Sequence, residues 1–280
     1  FIWGTAFIAQ DTGMDNIGPL TFNFARFIVG FFTILPIALI FEKKKIISEI
    51  SSKSKIFYKY LLFMGISLFL GTFLQQAALQ YTNIANAAFF TVFYVPLVPI
   101  LLFLIYSNKV HWSIWPSIGL CILGVYLLSD FSNSEIMLGD ALVIICSIFW
   151  ALHIIFAGKF MEIFDIPIFY AALQALFVAT LSFIFSYLFE EINFSNILLE
   201  SSSIIYAGVL SGGIAFTLQM FAQKNIEETP AAIIYSLEGV FAAIAGWIIL
   251  DQFLNLSNIF GCFLILMAVI FSQLAPSSKN

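Results

Sequence analysis

The sequence predicts an all-α integral membrane protein, with ten transmembrane helices in two inverted five-helix repeats, from three observations. Hydrophobic residues make up 61% of the 280-residue chain and charged residues only 10%. A soluble domain carries about 25% charged residues, and its surface would aggregate with this much apolar side chain to hide. The apolar residues also gather into ten segments between polar breaks. Finally, the second half of the chain repeats the pattern of the first.

The segments lie near 1–10, 18–41, 58–80, 84–106, 112–129, 138–157, 166–188, 202–224, 230–250 and 255–274. Each complete one is close to the ~20 residues a spanning helix needs. They are expected to be helices, because every backbone group in lipid must be bonded internally and the runs lack the period-two alternation of a barrel strand. Pro19, Pro167 and Pro230 stand at helix starts, where a missing N–H costs nothing. Pro36, Pro96 and Pro99 fall inside spans and predict kinks. The first segment reaches only about 15 Å as a helix, half a hydrocarbon core, and is expected to be the outer part of a span whose beginning precedes Phe1. A signal peptide fits less well, since no basic n-region and no A-x-A-like site precede Asp11.

Charge sorts by side. With the N-terminus cytoplasmic, the inner loops carry Lys43, Lys44, Lys45, Lys53, Lys55, Lys59, Lys109, Lys159 and Lys224, and the inner tail carries Lys279. The outer loops and their edges carry Asp11, Asp15, Asp130, Glu135, Asp140, Glu190, Glu191, Glu200 and Asp251, with no Lys or Arg. That is the positive-inside pattern of a multi-pass protein of the cell (inner) membrane with both termini cytoplasmic. The net charge of −5 argues against nucleic acid as a partner. Cys121, Cys146 and Cys262 sit in apolar runs without CxxC spacing and are expected to be core residues. No cofactor and no metal site is expected.

At a shift of about 144 residues, Leu74-Gln75 meets Leu218-Gln219, Ala87-Ala88 meets Ala231-Ala232, Ser113 meets Ser257, Leu120 meets Leu264 and Val125 meets Val269. At 147 to 148, Trp3 meets Trp150 and Pro19 meets Pro167. This divides the chain into a first repeat at 1–130 and a second at 138–275. Five spans per repeat is an odd number, so the second must be inverted relative to the first, a recurrent transporter design.

Several motifs then carry a family resemblance. Ile2-Trp3-Gly4-Thr5 resembles the opening motif of the EamA-type members of the drug/metabolite transporter superfamily. Gly139-Asp140 followed by Trp150-Ala151 resembles their sixth-span opening. Ser236-Leu237-Glu238-Gly239-Val240-Phe241-Ala242-Ala243 resembles their SLEPVFAA motif, with Gly239 where proline is usual. Phe93-Tyr94-Val95-Pro96-Leu97-Val98-Pro99 is similar to the matching piece of the first half. Asp251 stands where the family often has a glutamate after the ninth span, and Lys109 near the matching first-half place. The resemblance implies a secondary transporter that moves amino acids, metabolites or drug-like compounds by alternating access.

The candidate pathway residues are Trp3, Arg26, Gln75, Tyr94, Trp150, His153, Gln174, Gln219 and Glu238. Arg26 lies roughly 10 Å into the second span and Glu238 roughly 12 Å into the ninth. Each costs about 2.5–3.5 kcal/mol at a helix centre, so such groups face a cavity or one another. Glu238 is the candidate proton carrier; a structural ion pair is the competing role for both. Gln75 and Gln219 are repeat mates, as are Arg26 and Gln174, and their small neighbours point equally to interhelical hydrogen bonds. Tyr94 follows Asn86 and Phe90 at four-residue spacing. His153, near Trp150, is either a proton relay or a donor to a carbonyl. Asp140 reads as an N-cap. Gly239 with Ala243 and Ala242 with Gly246 predict tight packing of the ninth span, and Ser117 with Gly124 and Gly261 with Ala268 make spans five and ten scaffolding or a homodimer face.

The expected function is secondary transport of a small organic solute, with export favoured and a proton as candidate coupling ion. An uptake permease of the same fold is the alternative. No Walker A motif is present. An intramembrane enzyme is disfavoured: Ser211 with His153 is the one Ser/His pairing on offer, and no HExxH or paired-Asp signature is visible.

Overall fold

Apolar stretches flanked by polar breaks become helices throughout the computed structural model, which describes residues 1–82, 84–128, 138–249 and 253–274. In chain order these are α1 (Ile2–Thr12), α2 (Pro19–Phe41), α3 (Lys43–Ser52), α4 (Ser54–Ala78), α5 (Ile84–Thr91), α6 (Tyr94–Tyr106), α7 (Ile114–Leu128), α8 (Leu138–Ile163), α9 (Pro167–Phe189), α10 (Phe194–Leu199) and α11 (Ser201–Tyr206). A π-helical segment (Ala207–Ala215) leads into α12 (Phe216–Gln223), followed by α13 (Glu228–Tyr235), α14 (Leu237–Ile249) and α15 (Leu256–Leu274). Among the described residues, eight helical stretches are long and apolar enough to cross a bilayer, and α7 is a shorter apolar helix. The chain is a multi-pass membrane protein. Asp130, Glu135, Asp251 and Lys279, used above for orientation and resemblance, lie outside the described residues.

Pro19 and Pro167 open α2 and α9 as expected. Pro36 and Pro99 lie inside helices that continue through them. Pro96 acts instead on the turn before it. It has no N–H for the Val92 carbonyl, which takes the Val95 N–H at 2.8 Å instead, and the fourth span is divided into α5 and α6. The ninth span divides at the equivalent place, where Ser236 O accepts from Gly239 N at 3.1 Å. α3 and α10 were not anticipated. α3 carries Ile46 and Ile50 toward a buried aromatic core while its lysines stay outside.

The helices sort into two compact units. One comprises Phe1–Ile8, Ala77–Ile155 and Ile226–Asn280; the other comprises Ala9–Gln76 and Phe156–Asn225. Each unit draws on both halves of the sequence.

In the second unit α2 packs along α9 and along the π-helical segment. α2 and α9 run antiparallel and cap each other. The carboxylate of Glu190, just past the end of α9, accepts from the N–H groups of Leu20 and Thr21, each at 2.8 Å, and from the Thr21 hydroxyl at 2.7 Å. The carboxylate of Glu42, just past the end of α2, accepts from Ile168 N at 3.1 Å and Phe169 N at 2.7 Å. These are the otherwise orphaned N–H groups of two helix N-termini. Near the Glu190 end, Glu200 Oε1 accepts from Asn16 Nδ2 at 2.7 Å. At the opposite end Asp165 pairs with Lys45 at 2.6 Å and Lys224 at 2.5 Å. Beneath that end Phe57, Phe160, Phe164 and Tyr170 form a buried aromatic cluster, with the Phe160 and Tyr170 ring centroids 3.5 Å apart.

In the first unit α7 packs along α15, also antiparallel: Asn258 Nδ2, near the start of α15, donates to the carbonyls of Leu127 and Leu128 at the end of α7, each at 3.2 Å. Gly124 and Gly261 make the approach possible. A Cβ on Gly124 would stand 2.7 Å from Gly261 O, and one on Gly261 2.5 Å from Gly124 O. Of the two roles foreseen for these small residues, scaffolding or a dimer face, Gly124 and Gly261 serve the first, being turned on each other within the chain. The ninth span is gripped by α1: a Cβ on Gly4 would come 2.6 Å from Glu238 O, whereas one on Gly239 would meet only Leu128 Cδ1 at 3.9 Å. Asp140 lies in the first turn of α8, not before it, and accepts from the Thr82 hydroxyl at 2.5 Å.

Candidate functional site

The break in the fourth span sets Tyr94 at the first position of α6, and the break in the ninth sets Glu238 at the second position of α14. These two residues stand 144 apart in the chain, and they touch: the Tyr94 hydroxyl donates to Glu238 Oε1 at 3.3 Å, long for a bond of this kind. Tyr94 is buried and Glu238 partly so. Trp3 meets the ring of Tyr235 edge-on at 5.6 Å, and Tyr235 ends α13 just before the break that precedes Glu238. Trp3, Tyr94, Tyr235 and Glu238 thus form one aromatic and carboxylate cluster in the first unit. Tyr235, the last residue of α13, was missed by the sequence reading and is picked out only by its contact with Trp3.

Trp150 and His153, in the same unit, pack edge-on at 6.1 Å. His153 is fully buried and Trp150 partly.

The remaining polar candidates lie in the second unit. Arg26 is 3% exposed. Its Nε donates to Asn23 Oδ1 at 2.9 Å, and its guanidinium lies over the rings of Phe22 (5.6 Å) and Phe27 (5.0 Å). Asn23, one turn earlier and wholly buried, was also missed. Gln219 and Gln223 bond to each other along α12 at 2.9 Å, so this amide is used within its own helix where an interhelical bond was expected. Gln75 and Gln174 are buried, and the neighbouring Gln76 donates to the Gln10 carbonyl at 2.7 Å. Ser211 lies in the π-helical segment of this unit and His153 belongs to the other.

Behind Arg26 the backbone of α2 is pressed onto the π-helical segment. A Cβ on Gly208 would stand 2.6 Å from Arg26 O, and one on Gly30 3.0 Å from Gly208 O. π-helical turns are rare and concentrate at functional sites.

Apolar helices of spanning length that bury a few ionisable and amide groups define a polytopic membrane protein. Comparison with known proteins gives the family. The chain belongs to the EamA-like transporter family, whose model matches residues 1–130 and 137–274. It is 30% identical over 276 residues to an uncharacterized transporter of Archaeoglobus fulgidus, covering 98% of this chain and 82% of the relative. It is 23% identical to the uncharacterized transporter YoaV of Bacillus subtilis, over 100% of this chain and 95% of that one. A solved structure, titled only as the crystal structure of a protein, superposes with a TM-score of 0.73 at 14% identity, covering 98% of this chain and 95% of its own.

Proposed function

We propose that the chain moves a small organic solute by alternating access of two inverted repeats, 1–130 and 138–275, as a ten-span carrier and not as an enzyme. Its termini are cytoplasmic, its membrane is the cell (inner) membrane, and solute leaves as protons are taken up. The observation that carries this is the antiparallel pairing of repeat mates. α2 lies against α9, α7 against α15, and Tyr94 against Glu238. Glu42 and Glu190 are themselves 148 residues apart, the same shift that relates Pro19 to Pro167, and each caps the other's helix. An inverted duplication produces such pairs, because a two-fold axis in the membrane plane sets equivalent helices head to tail. The gathering of Lys45 and Lys224 at one end of α2, with Glu190 and Glu200 at the other, supports the orientation.

Glu238 is the proton carrier in this scheme, held by Tyr94 and walled by Trp3 and Tyr235. The polar residues of the second unit handle the solute, and His153 with Trp150 completes the set. The test is purified protein in liposomes, loaded with amino acids and cationic drugs under an imposed pH gradient. Glu238→Gln is expected to abolish accumulation driven by the gradient while leaving downhill exchange. Gradient-driven flux that survives the substitution would remove the carrier role from Glu238.

A further inference from the structure

Arg26 is the chain's one arginine. Its side chain has a single hydrogen-bond acceptor among the described residues, Asn23 Oδ1, which engages Nε. Among the described residues no carboxylate pairs with it within salt-bridge distance. The four N–H groups on the two terminal nitrogens of the fork are left over, and a guanidinium stays charged in a protein. A second donor stands beside it. With Asn23 Oδ1 committed to Arg26, the Asn23 amide nitrogen has no acceptor, although the residue is fully buried. Buried donors normally find acceptors, and an uncompensated charge is the costliest exception. The rings of Phe22 and Phe27 flank the guanidinium without supplying oxygen.

Two adjacent buried donor groups, one a cationic fork and neither answered by protein, describe the complement of a planar anion. We propose that Arg26 and Asn23 form the recognition point for a carboxylate on the transported solute, the fork taking both oxygens and the Asn23 amide adding a third N–H. A lone guanidinium without a second cation fits a monoanion better than a phosphate, and its planar fork matches a carboxylate bidentately. This rests on the transport reading above and gives it a substrate class, organic acids including amino acids.

The experiment uses the full chain in lipid nanodiscs and measures thermal stabilisation by the sodium salts of L-amino acids and of simple mono- and dicarboxylates, each beside its own amide. At least one acid is expected to stabilise the protein where its amide does not. Arg26→Gln should weaken that acid's binding roughly tenfold to a hundredfold, the range of a lost charge-assisted contact. Arg26→Lys, which keeps the charge and guards against a folding artefact, should retain the preference for acid over amide with lower affinity, and Asn23→Ala should weaken acid binding less than Arg26→Gln. Acids that stabilise no better than their amides, or an Arg26→Gln variant that binds acid like the wild type, overturn the assignment. Liposome counterflow separates the two proposals. Acid binding lost in Arg26→Gln, with no flux in the wild type, sinks transport and keeps the site. Flux of neutral or cationic solutes only, unchanged in Arg26→Gln, keeps transport and sinks the site.

Discussion

Glu190→Ala removes three hydrogen bonds at one stroke, two to the backbone of the first turn of α2 and one to the Thr21 hydroxyl. Loss of a helix cap costs about 0.5–2 kcal/mol, and the third bond adds about 1 kcal/mol. Water at the end of the helix answers part of the loss, so about 2 kcal/mol is expected. At ~2–4 °C per kcal/mol for a large domain, that is a fall in Tm of about 4–8 °C. Glu42→Ala removes only two bonds, both to backbone, and should cost about 1 kcal/mol less. α2 is 23 residues long, so the Glu190 and Glu42 caps, at its opposite ends, lie about 34 Å apart and should behave independently. The double variant should then equal the sum within ~0.5 kcal/mol. The assay is thermal unfolding in nanodiscs followed by intrinsic fluorescence. A Glu190→Ala protein within a degree of the wild type would refute the reciprocal capping. So would a double variant no worse than either single one.

Gly124→Ala and Gly261→Ala each drive a methyl into the backbone of the partner helix and should destabilise by about 1–3 kcal/mol in the same assay. Gly119→Ala, on α7 with nothing within 4 Å of the new Cβ, should be neutral or stabilising by about 0.5–1 kcal/mol. Hydrogen bonds from Lys224 and Lys45 hold the Asp165 carboxyl below the usual carboxylate range. A lowered folded-state value contributes stability above the unfolded pKa, and that contribution is lost as pH falls through the folded one. Asp165→Asn should therefore lower Tm slightly at pH 7, the pair being half exposed, and the two melting curves should draw together as pH falls below the usual carboxylate range. A difference that does not shrink as pH falls below that range would show that the aspartate acts otherwise than as a charge.

Helix ends were legible because lipid leaves so few options. The segments read at 18–41, 166–188 and 255–274 became Pro19–Phe41, Pro167–Phe189 and Leu256–Leu274. Proline at N1 and the apolar run length decide such boundaries locally. The kink expected from Pro96 falls a turn upstream, at Val92–Phe93, because a missing donor disturbs the carbonyl before it, while the break at Ser236 was not foreseen because Gly239 only permits it without enforcing it. Arg26 and Glu238 could be singled out by the cost of charge in hydrocarbon. Their companions Asn23 and Tyr235 could not, since a neutral amide or phenol in a span is unremarkable until a partner is seen. Asp140 differs for a related reason: its position suggested a local cap, but it stands within the first turn of α8 and accepts from the Thr82 hydroxyl, 58 residues away.

The π-helical stretch from Ala207 to Ala215 has no twin, for the equivalent part of α4 winds as an ordinary α-helix. Under the proposed scheme, two identical repeats would make the inward-facing and outward-facing forms degenerate, each the other's mirror in free energy. A change of winding confined to one repeat lifts that degeneracy, so one orientation becomes the ground state and the carrier rests with a preferred side open.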